Sequence, residues 1–415
     1  VKKVLYLQRF IVIVLDGFGI GAMDDVRVSR PQDLDANTCR HIIERVKGIK
    51  LYNLERLGLM NALGEEIGNM KKSKRASYGV VGLAHHGADT FYGHQEIMGT
   101  KPERPLAKPF QQCIDTVHDT LRKNGYDVQY KGESLKFLLI NGCVTVADNI
   151  EADPGHAYNV TTSLDLMDIN DLVKIGKTVR NIVDVPRVIA FGGKNVKVEE
   201  ILNAVEIKND KYIGINAPKC GVYRDGYYVL HLGYGVDPNV QIPSILGTAG
   251  IRTTLIGKVA DIVENKYGKS IPCVDTEKVM LYTLEEMQCN DPGLIVSNIQ
   301  ETDLAGHAQD VFKYAEKLET ADYYIGEIMS NMNGDDILVV MADHGNDPVI
   351  GHNRHTREKA PLLTYGSNIK QVFLGYRNTL SDVGATAAEY FGVAAPESGK
   401  SFLEIIKGQI VCSIT

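Results

Sequence analysis

Three short runs of apolar, largely β-branched residues constrain this chain most, because each stops abruptly at polar residues able to do chemistry. Phe10-Ile-Val-Ile-Val-Leu15 runs into Asp16-Gly17, Leu294-Ile-Val-Ser-Asn-Ile299 into Gln300-Glu-Thr-Asp303, and Ile337-Leu-Val-Val-Met341 into Ala342-Asp343-His344. Runs that stay apolar without alternation suit strands covered on both faces, the condition of a parallel sheet. Segments with helical spacing lie between them. From Asp310 to Met332, Tyr314, Leu318, Ala321, Ile325 and Ile328 recur on one face. Strands alternating with helices predict an open α/β sheet. In such sheets ligands bind beyond the carboxyl ends of the strands. Here three separate strands deliver Asp, or Asp with His, to that edge.

A chain of 415 residues exceeds one ordinary core, so two domains are expected. The middle of the chain has a different texture. After the Pro-containing segment at 102–109 come an expected helix from Gln111 to Asn124 and strand-like pieces at Phe137–Ile140 and Val144–Val146. A second helix, Asp168 to Val183, precedes a strand at Val188–Phe191. From about Tyr234 the strand and helix rhythm resumes. These shifts predict a discontinuous core, 1–103 and 231–415, interrupted by a smaller α/β domain at 104–230.

Charge and cysteine usage narrow the function. A net charge of -7 argues against a broad nucleic-acid-binding face. No stretch approaches the roughly 18 apolar residues of a membrane span. The apolar run at Phe10–Leu15 is too short, and too soon broken by Asp16, for a secretory start. Seven scattered cysteines (39, 113, 143, 220, 273, 289 and 412) form no Cys-x-x-Cys pair. That is the pattern of a reduced cytoplasmic protein.

Asp16, Asp303, His307, Asp343, His344 and His355 lie at strand ends or just beyond them. A lone Asp after a strand is ordinarily a helix cap or turn former, and a lone His is ordinarily structural. Their joint occurrence points elsewhere. Carboxylate oxygens combined with imidazole nitrogens suit Mn²⁺, Zn²⁺ or Fe²⁺ better than Ca²⁺. Six such donors suffice for two metals with open positions, the arrangement that clamps an in-line phosphoryl transfer.

The segment Gly87-Ala-Asp-Thr-Phe-Tyr-Gly-His-Gln-Glu-Ile-Met-Gly99 supplies a nucleophile. A Thr hydroxyl is a poor nucleophile at neutral pH, and a divalent cation lowers its pKa. Asp89-Thr90 before a helix is also an ordinary N-cap; only the metal cluster argues for more. His85 and His86 precede this turn and read as a solvated loop or as phosphate contacts. His352 and Arg354 flank His355 and could assist a ligand or substrate.

At these residues the chain resembles the phosphopentomutases of the alkaline phosphatase superfamily. The matching segments are Leu15-Asp-Gly-Phe-Gly-Ile-Gly-Ala-Met23, Asn53 to Leu59, the Asp-Thr…Gly-His-x-Glu-Ile-Met-Gly segment, Ile256-Gly-Lys-Val-Ala-Asp-Ile262, and Ala342-Asp-His-Gly-Asn-Asp-Pro348 with His355-Thr-Arg-Glu358. The resemblance implies an alkaline-phosphatase-like α/β core with a mainly parallel sheet, an inserted cap, and two divalent metal ions, Mn²⁺ in the family. It implies Thr90 as a phosphothreonine, one metal on Asp16, Asp343 and His344, and the other on Asp303, His307 and His355. Lys258, Arg187 and Asp89 become candidates for holding a small phosphorylated substrate, a sugar phosphate of the ribose 1-phosphate/ribose 5-phosphate type. Cap closure would exclude water from the phosphoenzyme. Ala88 stands where the family has Lys, the Asp303-to-His307 spacing is one residue shorter, and Phe191 stands where the family has Arg. A mutase for a different phosphorylated substrate, or a phosphomonoesterase or phosphonate hydrolase on the same core, are the alternatives.

Overall fold

The computed structural model describes residues 8–151, 155–289 and 291–407, so Cys412 lies outside the described residues. The chain divides into two compact units, 1–102 with 237–415 and 103–236. The first begins with β1 (Arg9–Leu15) and β2 (Ser77–Val81). The second holds β3 (Val128–Lys131), β4 (Phe137–Ile140), β5 (Val144–Asp148), β6 (Ala157–Ser163), β7 (Arg187–Gly193), β8 (Val205–Lys208), β9 (Tyr212–Ile215) and β10 (Tyr228–Gly233). The first unit then resumes with β11 (Arg252–Ile256), β12 (Lys269–Ile271), β13 (Gly293–Ile299), β14 (Ile337–Met341), β15 (Ala360–Tyr365) and β16 (Phe373–Arg377).

The core unit is built on an eight-stranded sheet in the order β12-β11-β13-β1-β14-β15-β2-β16. Its pairs are parallel except where β15 runs against β14 and β2. Every residue of β1, β13 and β14 is buried, as suits their mainly apolar runs. The helix Val311–Asn331 covers part of this sheet. It begins where Asp310 accepts a hydrogen bond from Lys313 N, and Tyr314, Leu318, Ala321, Ile325 and Ile328 are all buried. Among the described residues no helix is long and apolar enough to cross a membrane.

The second unit has a six-stranded sheet, β10-β7-β6-β5-β4-β3, in which only β6 and β7 pair in parallel. Its helices Ile114–Lys123 and Ile169–Arg180 fall within the expected segments. The division at 236/237 differs from the expected one at 230/231. β10 spans that position and pairs with β7, so a boundary at 231 would cut a strand from its own sheet.

Candidate active site

Parallel strands place their carboxyl ends on one edge of the core sheet, and adjacency in the sheet becomes adjacency of chemistry. The neighbouring strands β11, β13, β1 and β14 lead to Lys258, to Asp303 and His307, to Asp16, and to Asp343 with His344. Asp303 and His307 belong to a helix, Gln300–His307. Four residues apart, they share one helical face. Thr90 opens the helix Thr90–Ile97, whose N-cap Asp89 accepts a hydrogen bond from Tyr92 N. Gly93 lets this helix come close, since a Cβ there would lie 2.9 Å from both Cβ and O of Asp343. Gly17, at φ +75°, makes the turn after Asp16 and donates its N–H to Asp343 Oδ1.

Two groups of donor atoms result. Around the first, His344 Nε2 lies 2.6 Å from Thr90 Oγ1, 3.3 Å from Asp343 Oδ2 and 3.5 Å from Asp16 Oδ1. In the second, His355 Nε2 lies 3.2 Å from Asp303 Oδ1 and 2.9 Å from His307 Nε2, which is 3.5 Å from Asp303 Oδ2. His344 also comes within reach of the second group, alongside Asp303 and His355. Donors at about 2.0–2.2 Å around a tetrahedral ion stand roughly 3.3–3.6 Å apart, close to most of these separations.

The imidazoles are oriented for ligation. Nδ1 of His344 meets Gly345 O, Nδ1 of His307 meets Asn353 O, and Nδ1 of His355 meets Ala88 O. A carbonyl can only accept, so each Nδ1 carries a proton and each ring turns its Nε2 inward. Asp16 Oδ1 and Asp343 Oδ2 are buried and accept no hydrogen bond. His94 Nδ1 lies 3.3 Å from Asp343 Oδ2, but it is better placed to donate to Thr90 O at 3.0 Å, leaving a charge contact without a hydrogen bond. Buried carboxylate oxygens that accept no hydrogen bond are costly unless a cation joins them. The donor set therefore fits divalent metals.

Electrostatics agree. Burial and the charge of Asp343 push Asp16 up to about 7, with Lys258 opposing. Burial opposes ionisation of Asp303 and Asp343 too, yet His307 and His355 hold Asp303 well below the usual range, and His344 with His94 lower Asp343. Burial lowers His344 to about 4. His355 rises to about 9, because its contact with Asp303 outweighs burial. Burial opposes the charge on Lys258 as well, but Asp16, Asp303 and Asp343 raise its pKa. Its Nζ lies 3.2 Å from each of Thr90 Oγ1, Asp16 Oδ2 and Asp303 Oδ2.

Several supporting residues escaped the sequence reading. Asn298 Nδ2 donates to Asp16 Oδ2 at 3.1 Å and also meets His94 Nε2. Asn346 Nδ2 donates to Asp303 Oδ1 at 2.8 Å. Thr302 and Tyr314 donate hydroxyls to Asp16 O. Arg357 donates to the carbonyls of Leu83, His85 and Gly87, fixing the approach to Thr90, while Arg30 donates to His355 O. His94 had a usable signal in its position four residues after Thr90 on one helix. His85 is neither solvated nor a free phosphate contact: it is buried, with Nδ1 2.7 Å from Glu96. His352 pairs with Asp33. Arg187 opens β7 in the other unit.

Residues 8–395 match the Metalloenzyme superfamily. A phosphopentomutase of Acetivibrio thermocellus is 31% identical over 96% of this chain and 99% of that one. Those of Symbiobacterium thermophilum and Clostridioides difficile are each 29% identical, over 97% and 95% of this chain and 99% of theirs. With a match spanning most of its length and relatives aligned nearly end to end, the chain belongs to the phosphopentomutase family of the Metalloenzyme superfamily: it is a phosphomutase, an isomerase.

Proposed function

We propose that this enzyme interconverts ribose 1-phosphate and ribose 5-phosphate through a phosphorylated Thr90. The observation that carries the reading is the position of Thr90 Oγ1, 2.6 Å from His344 Nε2 and 3.2 Å from Lys258 Nζ. Asp16, Asp343 and His344 would hold one divalent metal, and Asp303, His307 and His355 a second, with Mn²⁺ suited to this mixed donor set. Bound there, such ions lower the pKa of a hydroxyl and offset charge on a phosphoryl group in transfer.

The chain's own residues supply the rest. Thr90 is buried, which limits competition from water at its oxygen. In the phosphorylated enzyme the Thr90 Oγ1–P bond breaks as a sugar hydroxyl oxygen bonds to phosphorus, giving a sugar bisphosphate. Thr90 Oγ1 then takes the other phosphoryl group, restoring the phosphoenzyme. Lys258 keeps an ammonium beside that oxygen and stabilises negative charge on it. His94 fixes the Thr90 carbonyl. Arg187 would contact substrate, whereas Asp89 serves by capping the helix that presents Thr90.

Phe191 favours a second reading, a mutase for a different phosphorylated substrate. It is buried and stacked on Tyr223 with ring centroids 6.2 Å apart, and offers no guanidinium fork to a phosphate. A panel of phosphorylated sugars with Mn²⁺-loaded enzyme, followed by ³¹P NMR, tests both. Isomerised ribose phosphate supports the first reading. Isomerisation confined to another sugar supports the second, and free phosphate as the sole product would sink both.

A further inference from the structure

A second feature of the core unit lies away from Thr90. β2 and β15 pair antiparallel, with Ala360 opposite Val81 and Thr364 opposite Ser77. The Val81 and Ala360 ends lead to Thr90 and from His355. The Ser77 and Tyr365 ends lie roughly 13 Å away along the strands. There a cavity of about 580 Å³ opens, lined by Arg56, Lys74, Arg75 and Lys370 and by no Asp or Glu. Four cations without a carboxylate are unusual in a chain of net charge -7.

The neighbouring basic residues behave differently. Lys71 pairs with Glu66 at 3.2 Å, and Lys72 donates to Gly64 O. Among the described residues no carboxylate pairs with the side chains of Arg56, Lys74, Arg75 or Lys370. Arg56 lies over the Tyr365 ring, 5.4 Å from its centroid, and donates to its hydroxyl at 3.3 Å. That contact orients the guanidinium and leaves other donors available. Asn61 holds the loop from both sides, donating to Ser73 O and accepting from Ser73 N.

We propose that this cavity is a second, non-catalytic site for a small molecule carrying two phosphate groups. Four positive charges balance two phosphates, each about −1.5 to −2 at pH 7. A volume near 580 Å³ lies within the size range of small-molecule sites. A sugar bisphosphate and a nucleoside diphosphate share this chemistry.

Lysine labelling reads the site directly. Pyridoxal 5′-phosphate condenses its aldehyde with a lysine Nζ, losing water, and borohydride then reduces the imine to a stable amine. Peptide mass spectrometry locates it. The phosphate should raise labelling of Lys74 and Lys370 about tenfold over unphosphorylated pyridoxal, and inorganic pyrophosphate should protect both. Lys72 serves as the reference to which both are normalised, since the ring hemiacetal of unphosphorylated pyridoxal lowers its labelling of every lysine, and pyrophosphate should leave Lys72 unprotected. In the Arg56→Ala/Arg75→Ala double variant the enrichment should fall to that of Lys72. Labelling by the two aldehydes in the same ratio as at Lys72 in the unaltered enzyme, or no protection by pyrophosphate, overturns the proposal even if that variant fails to fold. Protection by ribose 1,5-bisphosphate compared with ADP distinguishes the two sources. None of these readouts depends on turnover at Thr90, so the outcome is separate from that of the proposed reaction.

Discussion

The two sheets of this protein treat buried polarity in opposite ways. In the core sheet, parallel strands send their carboxyl ends to one edge, so Asp16, Asp303, Asp343 and Lys258 gather within a few ångströms. The second unit's sheet is largely antiparallel, and successive strand ends alternate between edges. Its buried polar side chains are mostly neutral: Thr145, Asn149, Asn159, Thr161, Thr162 and Ser163. Neutral groups cost little once hydrogen-bonded, whereas buried like charges remain costly until a cation arrives. Strand direction therefore decides where a fold can concentrate charge, and charge concentration decides where it can bind metal and transfer phosphoryl groups.

The largest test of that contrast removes the nucleophile. Thr90→Ala should lower turnover by about 10⁴-fold or more and abolish labelling by a phosphoryl donor, while metal content measured by atomic emission stays near normal. Retained activity would show that the charged edge works without Thr90. Lys258→Met should cost less, about 10²–10³-fold in kcat. Metal content should not fall, because the variant removes a cation that competes for Asp16 and Asp303. A loss of metal instead would make Lys258 a structural support of the cluster.

Metal removal probes the same asymmetry through stability. An ion at 100 times its Kd adds about 2.7 kcal/mol to the state that binds it. Chelation should therefore speed hydrogen exchange at core amides such as those of β1 and β14, and leave β6 and β7 unchanged. Equal loosening of both sheets would break the comparison.

Much of the core was legible because physics repeats there. Mainly apolar runs marked β1, β13 and β14, and helical spacing marked Val311–Asn331. The reversal of β15 left no such trace, since its direction is set by pairing with β14 and β2 rather than by its own composition. The donor residues stood out as Asp and His at strand ends. Their supports did not: Asn298 sits beside Ser297 inside an otherwise apolar run, and Arg357 acts through carbonyls that sequence does not show. The boundary near 231 was missed because β10 finds its partner, β7, some forty residues earlier in the chain.

The smallest expected effect concerns a kind of buried charge found in both units. Asp148 in the second unit accepts from Phe110 N and Ile213 N, and Asp322 in the core accepts from Asn53 N and Leu54 N. Burial raises each to about 6, from an ordinary value of 3.8, despite those hydrogen bonds. A carboxyl whose folded pKa is raised stabilises the fold fully below its unfolded pKa, and that stabilisation is lost as pH rises through the folded value. Between pH 4 and pH 7 each group should therefore subtract about 2–3 kcal/mol from the stability of the fold. Exchange at the Phe110 and Ile213 amides reports on one unit, and exchange at Leu54 on the other. Asp148→Asn should flatten the pH dependence at Phe110 and Ile213 only. At pH 4 it should also cost about 1 kcal/mol, because an amide has one accepting oxygen for two donors, and that cost should vanish or reverse by pH 7, where the aspartate has lost its own stabilisation. If Leu54 shifted equally, the two units would unfold as one, and their contrast would belong to chemistry but not to stability.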